Sequence, residues 1–382
     1  MLLNSHDYGR EARRRLPRFV YEYLAGGAED EHCLRRNSED LARLQLLPTC
    51  LRDTSSVDPA IELFGRRWQA PFALAPIGLC GLVRPGGDRM MAQAAAGAGV
   101  PHVLSTASNV RLEALHDGPA PALQWMQLYV MSERSIAEQI VRRAKAAGFG
   151  ALVLTVDVPV SGARERDARN HFRLPFRLTP RLVLDLLRHP GWLWRLARGG
   201  APSFVNMSAD GAPGSTQAQA ALLAREMDRR LDWDSLHWLR RLWDGPLLLK
   251  GVLHPADARR ALAQGVDGLI VSNHGGRQFD AAPSAIAALP AVLDAVDGRM
   301  PVLVDGGFRR GSDVVKALAL GAKGVLLGRP PVYGLASGGE QGVAAVVALL
   351  RQEIERSMVL LGAASIGDLG RHHVMAAIPS HT

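Results

Sequence analysis

Cysteine, lysine and long apolar runs are scarce in this sequence, and each shortage excludes a class of protein. The 382 residues include three cysteines, Cys33, Cys50 and Cys80, without Cys-x-x-Cys spacing, so we expect neither a disulfide framework nor a metal site. No apolar run approaches the roughly 20 residues of a membrane-spanning helix, and the first residues lack the apolar core of a signal peptide. We therefore expect a protein of the reducing cytoplasm that does not cross a membrane.

Lysine occurs only at positions 145, 250, 316 and 323, so the formal net charge of +8 comes almost entirely from arginine. A positive surface favours an anionic partner such as a membrane or a nucleic acid. The sequence has no RNP, zinc-finger or basic-region pattern, so we do not expect nucleic-acid binding. A non-enzymatic protein that binds an anionic surface is one interpretation of the charge, but it leaves the polar residues described below unexplained.

Eight short apolar runs alternate with helical patterns, which is typical of parallel strands covered on both faces. The runs span residues 71–78, 101–108, 121–130, 150–159, 246–252, 268–275, 301–307 and 324–330. Eight such units predict an α/β fold of the (β/α)8 TIM-barrel type. An open Rossmann sheet is disfavoured because the first run leads into APIGLCGLV, which does not contain Gly-x-Gly-x-x-Gly.

We predict a single domain over residues 1–382. Its parts are an N-terminal helical segment, the barrel, a long insertion after the fourth strand, and C-terminal helices with a tail, at 1–70, 71–335, 160–245 and 336–382. Within the insertion, residues 177–204 mix arginines with leucines, Trp192 and Trp194, which is typical of a basic amphipathic segment at a membrane surface. A loop that covers the barrel is the alternative.

Polar residues stand at the carboxyl end of almost every predicted strand. They are Thr106, Gln127, Tyr129, Thr155, Asp157, Lys250, His274, Asp305 and Arg329. In a (β/α)8 barrel these ends form one face, and that face carries the function. Lys250 ends an otherwise apolar run, and a buried ammonium group needs an anion or an electron-rich partner. A lysine that extends to solvent at the barrel rim is the structural alternative.

The stretch Gly268–Asp280, GLIVSNHGGRQFD, combines a base with an anion clamp. His274 is a proton acceptor near neutral pH, and Arg277 has the planar fork that holds a carboxylate through two bonds. Together they indicate proton or hydride removal from a small acid. Asp157 and Arg164 are further candidates, for which a structural ion pair and a solvated loop are the respective alternatives.

Glycine-containing turns follow the seventh and eighth predicted strands, at Gly306-Gly307 and Gly328-Arg329-Pro330. In barrels these two loops hold phosphate through backbone N–H groups, a helix N-terminus and an arginine. We therefore expect a phosphorylated cofactor or substrate. Tight turns that bind nothing are the alternative.

The chain resembles the FMN-dependent 2-hydroxyacid dehydrogenase/oxidase family from residue 7 to residue 362. The stretches that carry the resemblance are VYEYLAGGAEDE, QLYV, TVDVP, SNHGGRQFD and DGGFRRGSDVVKALALGAKGVLLGRP. The resemblance implies FMN as the cofactor and oxidation of an L-2-hydroxy acid to the 2-keto acid. It also implies that Arg277, Arg164 and Tyr23 bind the substrate carboxylate.

The same resemblance assigns the proton and electron chemistry. His274 matches the base, Asp157 the carboxylate that pairs with the resulting imidazolium, and Tyr129 the tyrosine near the substrate hydroxyl. Lys250 matches the lysine that stabilises the reduced flavin. The cofactor contacts that it implies are Ala75, Pro76, Gly78, Thr106, Gln127, Thr155, Lys250, Ser272, Asp305, Gly307, Arg309, Gly328 and Arg329.

Two positions depart from the pattern of the family's oxidases. Gly78 stands beside flavin N5 by resemblance, where oxidases usually carry alanine, so we expect a dehydrogenase that passes electrons to a quinone or another carrier. Residues 105–108, Ser-Thr-Ala-Ser, stand where glycolate oxidases have a tryptophan. The loss of that ring predicts a pocket open to lactate or an aryl side chain, and STASN with SGARERDARN resembles the mandelate dehydrogenase branch.

Two other FMN activities remain open, a 2-hydroxyacid oxidase that produces H2O2 and a different FMN barrel such as type 2 isopentenyl-diphosphate isomerase. The resemblance further implies a homotetramer. Membrane-bound relatives suggest peripheral contact with the inner face of the cytoplasmic membrane through residues 177–204.

Overall fold

The computed structural model describes residues 1–115, 123–170, 172, 179–200, 202–207 and 227–376. Eight parallel strands close into a barrel, which confirms the predicted (β/α)8 fold. In chain order they are Phe72–Leu74, His102–Leu104, Gln124–Leu128, Ala151–Thr155, Leu247–Val252, Gly268–Val271, Val302–Asp305 and Gly324–Leu327. The eighth strand pairs with the first, with Leu326 beside Ala73, and so leaves no free edge.

The barrel interior is filled by one buried residue or more from each strand. The strand residues in this inner cluster are Ala73, Val103, Trp125, Ala151, Val153, Leu248, Ile270, Leu303 and Leu326. Because successive side chains of a strand point to opposite faces, the intervening residues pack outward against the helices. This is why each strand is apolar on both faces, as the sequence predicts.

Helices cover the outside of the barrel and alternate with its strands. The longer ones are Gly87–Gly97, Arg134–Ala146, Asp234–Leu242, Pro255–Ala263, Ala285–Val296, Gly311–Leu320 and Arg329–Leu361. Local signals set their ends: Ser284 caps Ala285–Val296 by accepting from the Ala287 N–H at 3.2 Å. Gly339, with a φ of 64°, interrupts the last helix.

The N-terminal segment is only partly helical, so the prediction for residues 1–70 needs correction. Helices Ser5–Arg15, Arg18–Ala25 and His32–Arg43 are followed by strands Leu44–Leu46, Ile61–Leu63 and Arg66–Trp68. The last two form a hairpin around Phe64 and Gly65, whose φ angles of 50° and 68° suit a tight turn. Trp68 packs edge-on to Trp125 at 5.4 Å, so the hairpin closes the amino end of the barrel.

The insertion after the fourth strand both packs on the barrel and exposes an apolar face. Its described helices are Glu165–Arg169, Pro180–Leu187 and Pro190–Gly199, together with Asp234–Leu242, which belongs to the ring around the barrel. Trp192 is buried, and its indole N–H donates to the Leu82 carbonyl at 2.9 Å. The exposed apolar side chains are Val183, Leu184, Leu187 and Trp194. Residues 177, 178 and 201 of the predicted amphipathic segment lie outside the described residues, as do 171, 173–176 and 208–226 of the insertion.

Within the described part of the chain, no helix combines the length and the apolar character needed to cross a membrane.

Candidate active site

A cavity of about 710 Å³ opens at the carboxyl ends of the barrel strands, where the sequence places the functional residues. The predicted residues that line it are Tyr23, Ala75, Pro76, Gly78, Tyr129, Thr155, Arg164, Lys250, His274, Arg277, Asp305, Gly307, Arg309, Gly328 and Arg329. They come from the barrel strands, the second N-terminal helix and the insertion. The fold therefore gathers residues that are scattered over the chain into one site.

Four other predicted residues lie behind the cavity wall: Thr106, Gln127, Asp157 and Ser272. Gln127 accepts from the Thr106 N–H at 3.1 Å and donates to the Thr155 hydroxyl at 3.0 Å, and so links three neighbouring strands. The Ser272 hydroxyl accepts from Lys250 Nζ at 2.9 Å. These contacts orient the residues that do reach the cavity.

The turn after the sixth strand holds His274 in a left-handed backbone conformation. Its φ is 59°, and Gly275 and Gly276 continue with φ values of 65° and 75°. A non-glycine residue in this conformation is maintained only by its surroundings. Here the His274 N–H donates to the Ser272 hydroxyl at 3.0 Å, and the Gly276 N–H donates to the Asn273 side chain at 3.1 Å.

The imidazole of His274 lies between a carboxylate and a phenol. Its Nδ1 is 3.0 Å from Asp157 Oδ1, and its Nε2 is 3.4 Å from the Tyr129 hydroxyl. Because an ionised carboxylate only accepts, Asp157 places the ring proton on Nδ1 and leaves the Nε2 lone pair facing Tyr129. This is the geometry of a general base with an orienting carboxylate.

Burial and charge together keep this pair as a neutral base beside an anion. Burial lowers the pKa of His274 below its ordinary value, and the partial compensation from Asp157 does not reverse this. Burial raises the pKa of the Asp157 carboxyl, but His274 and the charge of Lys250 outweigh that effect and bring the pKa below its ordinary value. His274 is therefore unprotonated and Asp157 ionised at neutral pH.

Lys250 is a buried cation at the floor of the cavity, with 4% of its surface exposed. Its Nζ lies 3.0 Å from Asp305 Oδ2. Burial lowers the pKa of Lys250, but the charges of Asp305 and Asp157 raise it above the ordinary value, so the ammonium group stays protonated. Asp305 Oδ1 is buried and has no hydrogen-bond partner among the described residues. The structure thus supports the electrostatic interpretation of Lys250 over the solvent-exposed alternative.

Two arginines face the cavity from different elements. Arg277 donates from Nη1 to the carbonyls of Tyr23 and Gly26 at 2.7 and 2.8 Å, and its guanidinium lies 5.0 Å from the centre of the Tyr23 ring. Burial, with help from Arg164, lowers the pKa of Arg277 to about 10, which still leaves it charged at neutral pH. Arg164 Nε is buried without a partner in the described structure. Both groups are suited to an anionic ligand.

Arg329 lines the cavity, but most of its donors are engaged by the backbone. It donates to the carbonyls of Leu24, Gly26 and Gly275 at 2.9, 2.9 and 3.1 Å. Burial, with help from the charge of Arg309, lowers its pKa to about 9. Its main visible role is to join the N-terminal helix to the turn that carries His274.

Several residues that line the cavity were not singled out in the sequence: Asp167, Phe172, Phe204 and Met227. Phe172 stacks on Tyr23 with the ring centres 4.8 Å apart. The signal for Asp167 was its place in SGARERD, three residues after Arg164. Phe204 and Met227 carried no signal because they belong to the insertion, whose sequence shows no periodic pattern that relates it to the barrel.

Comparisons with known proteins agree over almost the whole chain. The sequence profile of FMN-dependent dehydrogenases matches residues 12–376. An L-lactate dehydrogenase of Chromohalobacter salexigens is 44% identical over 373 residues, covering 96% of this chain and 93% of that protein. An (S)-mandelate dehydrogenase of Pseudomonas putida is 45% identical over 371 residues, with 96% and 92% covered. The crystal structure of the monotopic membrane protein (S)-mandelate dehydrogenase has a TM-score of 0.93 at 43% identity, covering 98% of this chain and 99% of that chain.

Proposed function

The chain belongs to the FMN-dependent dehydrogenase family, and from this premise we propose how its residues oxidise an L-2-hydroxy acid to the 2-keto acid. The enzyme is an FMN-dependent 2-hydroxyacid dehydrogenase. The observation that carries the proposal is the His274–Asp157 pair, whose free imidazole nitrogen lies on the same cavity as the guanidinium of Arg277. A base and a carboxylate clamp on one cavity are what this reaction requires.

FMN is the cofactor, and three features of the cavity fit it. Gly306 and Gly307 have φ values of 96° and 92°, so a wall of the cavity is backbone without Cβ atoms. The helix Arg329–Leu361 begins at the cavity, and the positive end of its dipole favours a phosphate there, although Pro330 and Pro331 have no backbone N–H to donate. The unpartnered Asp305 Oδ1 is an acceptor available to a ligand donor.

We infer that the predicted cofactor residues that line the cavity contact FMN directly. Thr106, Gln127 and Ser272 lie behind the wall and position those residues. The direct set is Ala75, Pro76, Gly78, Thr155, Lys250, Asp305, Gly307, Arg309, Gly328 and Arg329. When bound, FMN supplies the acceptor for two electrons. The Lys250 ammonium provides a fixed positive charge where negative charge develops.

On the substrate side, each side chain has a separate task. Arg277 and Arg164 bind the carboxylate, with Tyr23 closing the site beside them. His274 Nε2 accepts the proton that the substrate loses, and Asp157 stabilises the imidazolium that results. The Tyr129 hydroxyl, 3.4 Å from Nε2, orients the substrate hydroxyl toward the base.

We propose a lactate-sized or aryl side chain for the substrate. Ala107 offers only a methyl group where a tryptophan would fill the space, and the rings of Phe172 and Phe204 provide apolar walls. Gly78 widens the cavity further, because a Cβ there would lie 3.1 Å from the Ala107 Cβ. These surfaces suit an aromatic ring better than the single hydrogen of glycolate.

We further propose that a quinone or another carrier receives the electrons, that the enzyme is a homotetramer, and that it lies on the inner face of the cytoplasmic membrane. The apolar face of helices Pro180–Leu187 and Pro190–Gly199 supports the membrane contact. A membrane-bound position also favours a lipid-soluble acceptor. An oxidase that releases H2O2 is the alternative that oxygen reactivity tests.

The test is anaerobic mixing of the holoenzyme with L-mandelate, L-lactate and glycolate in separate experiments. Loss of flavin absorbance near ~450 nm reports electron transfer. We expect rapid bleaching by L-mandelate or L-lactate and slow recovery of the colour in air. Rapid recovery of the flavin absorbance in air, with release of H2O2, would identify the enzyme as an oxidase. A flavin that none of the three acids bleaches would contradict the substrate proposal.

A further inference from the structure

A pair of arginines outside the active-site cavity lies where the insertion meets the barrel. The helix Pro190–Gly199 packs on residues 82–85: the Trp192 indole donates to the Leu82 carbonyl at 2.9 Å, and a Cβ on Gly199 would lie 2.2 Å from the Pro85 Cβ. Arg195 is three residues from Trp192 and four from Gly199, so it shares the helix face that packs on this segment. Arg195 therefore projects toward the segment that carries Arg84.

Neither arginine has an acidic partner among the described residues. Arg195 Nε is buried and donates to no acceptor there. Burial lowers the pKa of Arg195, and the charges that add to this are those of Arg84 and Arg15. Arg15 is itself paired, with its Nε 2.6 Å from Glu11 Oε1. Arg84 and Arg195 are thus two half-buried cations near enough for their charges to interact, with no acidic partner in the described part of the chain.

The position of Arg84 is also defined by its packing. A Cβ on Gly339 would lie 3.1 Å from the guanidinium carbon of Arg84, so the break in the last helix leaves room for this side chain. Gly339 has a φ of 64°, a conformation that other residues rarely adopt. Arg84 therefore lies between the break in the last helix and the segment on which the helix Pro190–Gly199 packs.

An unpaired, partly buried cation pair lowers stability unless an anion compensates it. Guanidinium groups match phosphate well because their planar forks donate two parallel hydrogen bonds. We propose that Arg84 and Arg195 form a binding site for the phosphate of an anionic phospholipid headgroup. This inference rests on the proposed membrane contact and names the chemistry that the membrane presents to the protein.

The neighbourhood of the pair indicates a lipid as the source of the phosphate. The same helix exposes Trp194, 57% accessible, and the preceding helix exposes Leu187, 67% accessible. The Arg198 guanidinium lies 4.0 Å from the centre of the Trp194 ring. An amphipathic indole with a nearby cation is typical of the headgroup region of a bilayer. A phosphate held at the Arg84–Arg195 pair thus has an apolar surface beside it for acyl chains.

The experiment measures binding of the FMN-saturated holoenzyme to vesicles of phosphatidylcholine with and without phosphatidylglycerol. Arg195→Lys keeps the charge but loses the fork, and Arg198→Gln removes one charge from the same helix outside the pair. If basic residues are only attracted in general to an anionic surface, the affinity for phosphatidylglycerol vesicles should be unchanged in Arg195→Lys and should fall about fivefold in Arg198→Gln. A bidentate site predicts a loss of roughly tenfold or more for Arg195→Lys, because charged hydrogen bonds are lost.

A second arm replaces the lipid by inorganic phosphate and compares Tm in phosphate and in chloride at equal ionic strength. We expect phosphate to raise Tm of the wild-type holoenzyme more than that of Arg195→Lys. If the wild type binds no vesicles, the proposed membrane contact is wrong. The Tm comparison in phosphate and chloride still shows whether Arg84 and Arg195 bind a phosphate. If Arg195→Lys loses the rise in Tm caused by phosphate but binds vesicles as well as the wild type does, the site binds phosphate and not the lipid headgroup. Equal behaviour of Arg195→Lys and wild type in both arms would overturn the site. Turnover with a soluble acceptor should be the same in all variants.

Discussion

His274 Nδ1 and Asp157 Oδ1 lie 3.0 Å apart although 117 positions separate the two residues in the chain. The contact exists because the fourth and sixth barrel strands end on the same face, with Lys250 on the strand between them. It holds the ring proton of His274 on Nδ1 and leaves the Nε2 lone pair available, as the proposed base requires. The first two predictions below depend on it.

His274→Gln should retain FMN and lose turnover. Glutamine keeps a polar side chain of similar length but has no basic nitrogen, and general-base catalysis contributes about 10²–10⁴-fold. Stopped-flow reduction of the bound flavin by the hydroxy acid measures the effect, and the flavin spectrum of the purified variant verifies cofactor binding. Turnover within a few-fold of wild type would remove His274 from the role of base.

The pH dependence of kcat/KM should report the lowered pKa of His274. The neutral imidazole is the active form, so the rate rises with pH through the pKa, and the acid limb lies at a lower pH than for an ordinary histidine because burial lowers that pKa. Asp157 raises the pKa of His274, so Asp157→Asn should move the acid limb to lower pH while kcat falls by roughly 10²-fold. If the acid limb of Asp157→Asn moved to higher pH instead, the proposed effect of Asp157 on the pKa of His274 would be wrong. The profile is measured between about pH 5 and pH 8.

Asp167→Asn should lower KM for the hydroxy acid by roughly threefold to tenfold. Asp167 lines the cavity near the substrate arginines, and its ionised form repels an anionic substrate. Burial raises the pKa of Asp167, and Arg277 and Arg164 only partly offset this. KM of the wild type should therefore rise as pH increases through that pKa, and the variant should lose the dependence.

Asp167→Glu keeps the charge and serves as the control. Product inhibition by the keto acid should strengthen in Asp167→Asn together with the fall in KM, since both ligands carry a carboxylate. A higher KM in Asp167→Asn would show that the residue instead positions the arginines.

Lys250→Met should destabilise the apoprotein by about 3 kcal/mol, because removal of one partner leaves the buried Asp305 charge uncompensated. Adding Asp305→Asn to Lys250→Met should restore most of the lost stability, since neither position then carries a buried charge. Urea unfolding of the two single variants and the double variant measures the coupling. Flavin reduction should stay slow in the double variant, because the positive charge at the cavity floor is still missing. Full recovery of the rate would leave Lys250 with a structural role alone.

The barrel and the face that carries the site were predictable from local patterns. A strand that is covered on both sides is apolar at most positions, so eight such runs stand out in the sequence. Polar groups at strand ends, such as Lys250 and His274, stand out for the same reason. The hairpin around Phe64 was missed because its strands are three residues long, too short to show a period.

Roles that depend on distant contacts were less accessible. Arg329 was predicted only as a cofactor contact, and the structure adds a positioning role, since three of its hydrogen bonds go to backbone carbonyls at the end of the second N-terminal helix and in the His274 turn. Asp167 and Phe204 reach the cavity only because the insertion folds back over the barrel. No local period specifies that path.

The sequence by itself determined the barrel, the family and the chemical groups available at the strand ends, because these follow from short-range pattern and from motifs. Tertiary structure alone decided which of those groups meet, which are buried, and therefore which protonation states they adopt. The physical reason is that pKa values and hydrogen bonds depend on distances of a few ångströms between segments far apart in the chain. The proposed base His274 and the proposed Arg84–Arg195 site both depend on where the folded chain places their neighbours.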